Sequence, residues 1–203
     1  MDQIIFIHGG EAFDTLEQYH DFLRDKKYDP RKIKSERWKH RLPEFLGESF
    51  DYIIPTMPAK ENADYEAWKI WFEKIFPYLQ DGKIILVGGS LGGIFLPKYL
   101  SENDFPKNID QLHLISGPFD ESGMDGEGVG NFKLENFEGL RNIDKKVEKI
   151  FLYHSRDDFV VPYEHAEKYL KYLPSAQLMT FEDRGHFLQA EFPELIENIK
   201  NNI

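Results

Sequence analysis

Cysteine is missing from the 203 residues, which excludes disulfides, a thiolate nucleophile and zinc–thiolate sites together. Basic charge is scarce: 25 Lys and Arg face 36 Asp and Glu, a formal charge of −11 with histidine neutral. That balance speaks against a nucleic-acid backbone or an anionic membrane as partner. No apolar run nears the roughly 18 residues that a membrane helix needs. Met1-Asp2-Gln3 leads into Ile4 with no basic leader or cleavage site, so a cytoplasmic location is expected. What is present is a globular composition, 41% hydrophobic and 30% charged. At about 150 residues per domain, residues 1–203 are expected to form one.

Short apolar runs alternate with stretches of helical period, the pattern of βαβ units in an α/β protein. The expected architecture is a mainly parallel sheet of about six strands with helices on both faces. Strands are expected at 3–7, 50–54, 83–87, 111–115, 149–153 and 177–181. Helices are expected at 14–26, where Asp14 and Glu17 suit a capping box, and at 35–46, 64–79, 91–100, 163–172 and 193–199. In the third of these, Trp68, Trp71, Phe72, Ile75 and Phe76 stand at core spacing.

Residues 117–142 break the rhythm, with Gly117, Gly123, Gly126, Gly128, Gly130 and Gly139 at no clear period. They read as a glycine-rich loop insertion that borders the site and moves during turnover. Asp120, Glu121 and Asp125 do not make a calcium loop. Ser122 and Met124 stand at ligand positions, and Asp125 takes the place of the required glycine.

The chemistry centres on Gly88-Gly89-Ser90-Leu91-Gly92-Gly93, directly after the apolar run 83–87. Gly-x-Ser-x-Gly between a strand and a helix is a nucleophile elbow, whose glycines allow a backbone approach that side chains would block. A P-loop would need Lys and Ser or Thr where Ile94 and Phe95 stand, and a dinucleotide loop would need glycine at Ser90. A serine hydroxyl is a poor nucleophile until a base and an orienting acid activate it. Downstream, in the required order, come the turn Asp157-Asp158-Phe159-Val160-Val161-Pro162 and then Gly185-His186-Phe187-Leu188, each just past an expected strand. The residues alone leave Asp157 and Asp158 open as the acid. Ile7-His8-Gly9-Gly10 ends the first strand in a loop suited to give one oxyanion-hole N–H, from Gly10 or, one register on, Glu11. The second donor is Leu91. His8 and His154 are expected to be structural neighbours rather than the base.

These motifs, spread over the whole chain, resemble the small α/β-hydrolases of the YdeN and retinoblastoma-binding-protein type. The resemblance implies a three-layer fold and serine-dependent, esterase-like hydrolysis through Ser90, His186 and an aspartate, with no metal or organic cofactor. It favours Asp158, four residues before Pro162, over Asp157, with Asp120 as a further candidate. Glu11, Phe159 and Phe187 are expected to contact a small-molecule ester. The −11 charge and the apolar neighbours Leu91, Phe159 and Phe187 suggest short, uncharged acyl groups. A thioesterase, amidase or peptidase would use the same residues, and a protein-interaction module on a hydrolase scaffold with little turnover is the alternative of another class.

Overall fold

The computed structural model describes residues 1–31, 37–124 and 128–202. Six parallel strands form one sheet: β1 (Asp2–Ile7), β2 (Phe50–Ile53), β3 (Ile84–Gly89), β4 (Ile109–Ile115), β5 (Val147–Ser155) and β6 (Gln177–Phe181). Their order is β2-β1-β3-β4-β5-β6. The direction of winding therefore reverses between β1 and β3, where Ile7 pairs with Gly88. The crevice outside the carboxyl ends of such a pair is where open α/β sheets bind ligands.

Alternation along the strands sorts side chains between two helical layers. Ile5, Ile7, Leu86, Leu112 and Leu152 face α3 (Tyr65–Glu73), α4 (Leu91–Glu102) and α5 (Phe137–Lys146). Ile4, Phe6, Ile85, Val87 and Tyr153 face α2 (Leu42–Leu46) and α7 (Pro193–Asn201). The remaining helices are α1 (Leu16–Asp25) and α6 (Glu164–Leu170). The three layers and the six strands agree with the sequence reading.

Several boundaries do not. The cap of α1 is Thr15 rather than Asp14: Thr15 Oγ1 accepts from Gln18 N–H at 3.2 Å, and Gln18 Oε1 accepts from Thr15 N–H at 3.1 Å. The helix expected at 35–46 begins on residues outside those described and is otherwise a 3₁₀ turn at Trp38–His40 followed by α2. Pro43, with no N–H to give, interrupts it. Pro77 likewise ends the third helix in a 3₁₀ turn at Phe76–Tyr78. Trp68 and Phe72 are fully buried there, whereas Trp71 lies off the core stripe and is 43% exposed.

The largest correction concerns 117–142, which is not one loop. It contains a 3₁₀ turn at Gly130–Phe132 and the start of α5, whose cap Asn136 accepts from Gly139 N–H at 2.9 Å. Leu140 and Ile143, fully buried, anchor α5. Asp125 and Gly126 lie outside the described residues.

A buried polar ladder ties α7 to the sheet. Asn198 Nδ2 donates to the Tyr153 hydroxyl (3.0 Å), which donates to His113 Nδ1 (2.9 Å). His113 Nε2–H donates to Gln111 Oε1 (2.9 Å), and Gln111 Nε2 donates to the Ile199 and Asn202 carbonyls (3.3 and 3.1 Å). Only neutral His113 can accept from Tyr153, and burial pushes its pKa down to about 3. As pH falls below about 6.5, the unfolded chain takes up this proton first, so stability falls with pH until about 3. Urea unfolding between pH 6 and 4 should lose about 1.4 kcal/mol per pH unit through His113, and His113→Phe should remove that much of the slope.

Candidate active site

Ser90 follows β3 at φ 53° and ψ −121°, a backbone conformation rare for a residue with a side chain. Its N–H donates to Ile115 O (2.9 Å) and its carbonyl accepts from Gly93 N–H (2.7 Å). Most of the glycines around it, Gly89 apart, are steric necessities. A Cβ at Gly88 would stand 2.4 Å from Gly92 O, one at Gly92 2.2 Å from Ile7 O, and one at Gly93 2.7 Å from Gly117 Cα. A Cβ at Gly9 would meet Ser90 Cβ at 2.8 Å, so the His8-Gly9-Gly10 loop lies directly against the serine.

Beyond β5 and β6 the acid turn and the histidine loop meet. His186 Nδ1 is 3.0 and 3.1 Å from the two Asp158 carboxylate oxygens. A carboxylate only accepts, so Nδ1 carries a proton, and in the neutral ring Nε2 is the nitrogen with the lone pair. The Asp158 side chain is fully buried, and its Oδ1 also accepts from the N–H groups of Val160 (2.9 Å) and Val161 (3.0 Å). Burial alone would raise its pKa. The hydrogen bond and charge of His186 and the Val161 N–H outweigh it and hold the carboxyl below its ordinary range. Ser116 lies close enough to stabilise the same carboxylate, although its buried hydroxyl makes no hydrogen bond of ordinary geometry. Ser116 also follows the Ile115 carbonyl that holds Ser90. A short chain of neighbours thus runs from Ser90 through 115–116 and Asp158 to His186. No hydrogen bond joins Ser90 Oγ to His186 among the described residues; such bonds are commonly long in unliganded enzymes.

The other candidates separate clearly. Asp157 points away from the imidazole and bonds the Ser155 hydroxyl and Gly185 N–H. Asp120 pairs with Lys168 at 2.6 Å, and this pairing with the Ser122 bonds outweighs burial to bring it to about 2. His8 donates from Nδ1 to Gly9 O (2.6 Å) and accepts at Nε2 from Met57 N–H (2.8 Å), which ties the loop. His154 Nε2–H donates to Val161 O at 2.8 Å in a buried position.

Glu11 N–H is spent on Lys60 O (2.8 Å), whereas no hydrogen bond among the described residues occupies Gly10 N–H. Leu91, as the first residue of α4, has no helical carbonyl to bond. The Glu11 side chain reaches Lys26 at 3.5 Å. Phe159 is 73% exposed with its ring 6.5 Å from that of His186. Phe187 instead turns inward against Phe192 and Phe181, 4.9 and 5.4 Å between ring centroids, which makes its ring part of the core and not of a substrate surface. Among the described residues no cluster of three His, Asp or Glu could hold a metal, and no helix is long and apolar enough to cross a membrane. Ser116 and Trp38, whose Nε1–H donates to Phe187 O at 2.9 Å, support the site unannounced by any motif.

The steric account of the elbow is testable by urea denaturation. Gly92→Ala should lower the unfolding free energy by about 1–3 kcal/mol or more, since backbone must move. Gly89→Ala, whose Cβ would meet only Phe6 at 3.8 Å, should change it by about 0.5 kcal/mol or less.

No protein-family profile matches the chain. The serine hydrolase RBBP9 of Rattus norvegicus is 28% identical over 152 residues, 75% of this chain and 77% of that protein. The structure of the ydeN gene product of B. subtilis superposes with a TM-score of 0.72 at 17% identity, covering 100% of this chain and 98% of that one. The esterase domain of a Rhodothermus marinus protein superposes with a TM-score of 0.57 at 15% identity, over 92% and 77% of the two chains. With six parallel strands carrying an elbow serine and an Asp–His pair on one edge, the chain has the α/β-hydrolase fold and is similar to the serine hydrolase RBBP9 and to the ydeN gene product.

Proposed function

We propose that the enzyme hydrolyses carboxylic esters through an acyl-enzyme on Ser90, and the observation that carries this reading is the Asp158–His186 pair at 3.0–3.1 Å. The pair leaves Nε2 as the one free ring nitrogen, the tautomer a general base requires. His186 Nε2 takes the Ser90 proton as Oγ bonds to the ester carbonyl carbon. Asp158 stabilises the imidazolium that results. The oxyanion sits between the N–H groups of Gly10 and Leu91, each worth about 3 kcal/mol of barrier. Collapse breaks the C–O bond to the alcohol, which leaves with the proton from His186. Water then attacks the acyl-enzyme, gives a proton to His186, and the acid departs as Ser90 is reprotonated.

The esterase domain among the structural relatives supports the choice of ester. Exposed Phe159 beside His186 offers an apolar surface to the substrate, and with the −11 charge favours short, uncharged acyl groups over anionic ones. Butyrate esters should therefore be cleaved faster than succinate half-esters at low salt, and the reverse order would refute the preference. Faster turnover of a matched thioester or amide would move the bond assignment.

A fluorophosphonate should label Ser90 and no other serine, read by mass spectrometry of the modified peptide. Asp158→Asn should lose about 10⁴ in kcat while its circular dichroism is unchanged, because the ring takes the wrong tautomer. A label on Ser116 with Ser90 untouched would refute the mechanism.

A further inference from the structure

His186 stands between two residues in the left-handed region, Gly185 and Phe187, both at φ 51°. Its ring direction therefore depends on what fixes the backbone on either side. After it, Trp38 holds the chain through Nε1–H to Phe187 O (2.9 Å) and N–H to Gln189 O (3.0 Å). Before it, the Arg184 guanidinium pairs with Glu194 (2.6 Å) and Arg184 O accepts from Phe187 N–H (3.1 Å) and Gln189 Nε2 (2.5 Å), while the backbone N–H groups are held from the end of β5 and the turn after it. Arg184 N–H donates to Ser155 Oγ (3.0 Å), Gly185 N–H donates to Asp157 Oδ1 (2.8 Å), and the Ser155 hydroxyl donates to that same Oδ1 (2.5 Å). Ser155 is fully buried at the strand end and Asp157 is on the surface, so the pair reaches from the sheet to the edge of the histidine loop.

We propose that Ser155 and Asp157 form a clamp that positions His186, and are positioning residues for the reaction set out above, on which this inference rests. Asp158 bonds the imidazole itself, and its neighbour Asp157 bonds the backbone that carries the imidazole. Adjacent carboxylates on one turn point in different directions, so one tight turn fixes both the ring and its root. The Ser155 hydroxyl and Gly185 N–H hold Asp157 below the ordinary carboxylate range, in keeping with an ionised acceptor. A glycine at 185 makes the clamp necessary, because nothing intrinsic to that residue selects one backbone conformation.

The test uses the full chain carrying Asp157→Ala, Asp157→Asn or Ser155→Ala, with kcat and KM on a neutral ester and amide exchange of Arg184 and Gly185 by NMR. Asp157→Ala should lower kcat by about 10- to 100-fold at unchanged KM, and speed exchange at Gly185 by about tenfold or more. Asp157→Asn keeps an acceptor oxygen and should restore kcat to within about threefold of wild type, an outcome a loss of charge alone would not give. Ser155→Ala should speed exchange at Arg184. A folded Asp157→Ala protein with wild-type kcat, or with wild-type exchange at Gly185, would overturn the clamp. Should that variant not fold, an Asp157→Asn protein with kcat lowered tenfold would overturn it as well. The exchange measurements do not depend on turnover, so they read the clamp even if Ser90 proves not to be the nucleophile.

Discussion

Around the carboxyl end of β3 the backbone leaves no room for side chains at Gly88, Gly92 and Gly93, and the rest of the site depends on that exclusion. Four backbone stretches converge there: the end of β1 at Ile7 and His8, the elbow itself, the first turn of α4, and Gly117 after β4. A methyl group at Gly88, Gly92 or Gly93 would overlap backbone at 2.2–2.7 Å. Dense backbone contact is what allows Ser90 to persist at φ 53°, a conformation costing about 1–3 kcal/mol that only over-determined surroundings sustain. It also sets the His8-Gly9-Gly10 loop against the serine, so the proposed oxyanion donors and the proposed nucleophile are placed by one steric constraint.

Hydrogen-bond accounting separates His186 from three of the other histidines. His8, His113 and His165 each have both ring nitrogens engaged, His165 by Phe119 N–H and Ser122 O. Burial lowers the pKa of each and keeps it neutral. His186 differs in having Nδ1 committed to a buried carboxylate and no bond at Nε2 among the described residues. Buried imidazoles that share their protons with fixed partners serve as struts. One that leaves a ring nitrogen without a partner is equipped to accept a proton.

The segment after β4 shows how a structural role hides in composition. Its glycines read as freedom, yet Gly117 is fixed by the close approach of Gly93, and Gly139 lies where a Cβ would meet Ser101 O at 2.1 Å. Nearby, Phe119 N–H is held by His165 and Asp120 by Lys168. These bonds fasten 119–122 to α6. Glycine here serves close contact as much as mobility.

Local pattern determined a good deal of this protein. Apolar runs and their alternation gave six strands, because burial on both faces leaves few other ways to place continuous Ile, Leu and Val. The elbow was legible because its glycines answer a contact demanded within a few residues, between Gly88 and Gly92. What only the tertiary structure decided were meetings between distant segments. Whether Asp157 or Asp158 faces His186 turns on the directions of two side chains in one turn, which no spacing encodes. Phe187, itself at φ 51°, turned into the core against Phe192, while Phe159 in the separate acid turn stayed at the surface. Helix α5 was hidden because two buried residues, Leu140 and Ile143, are too few for a visible period until the sheet supplies the surface they cover.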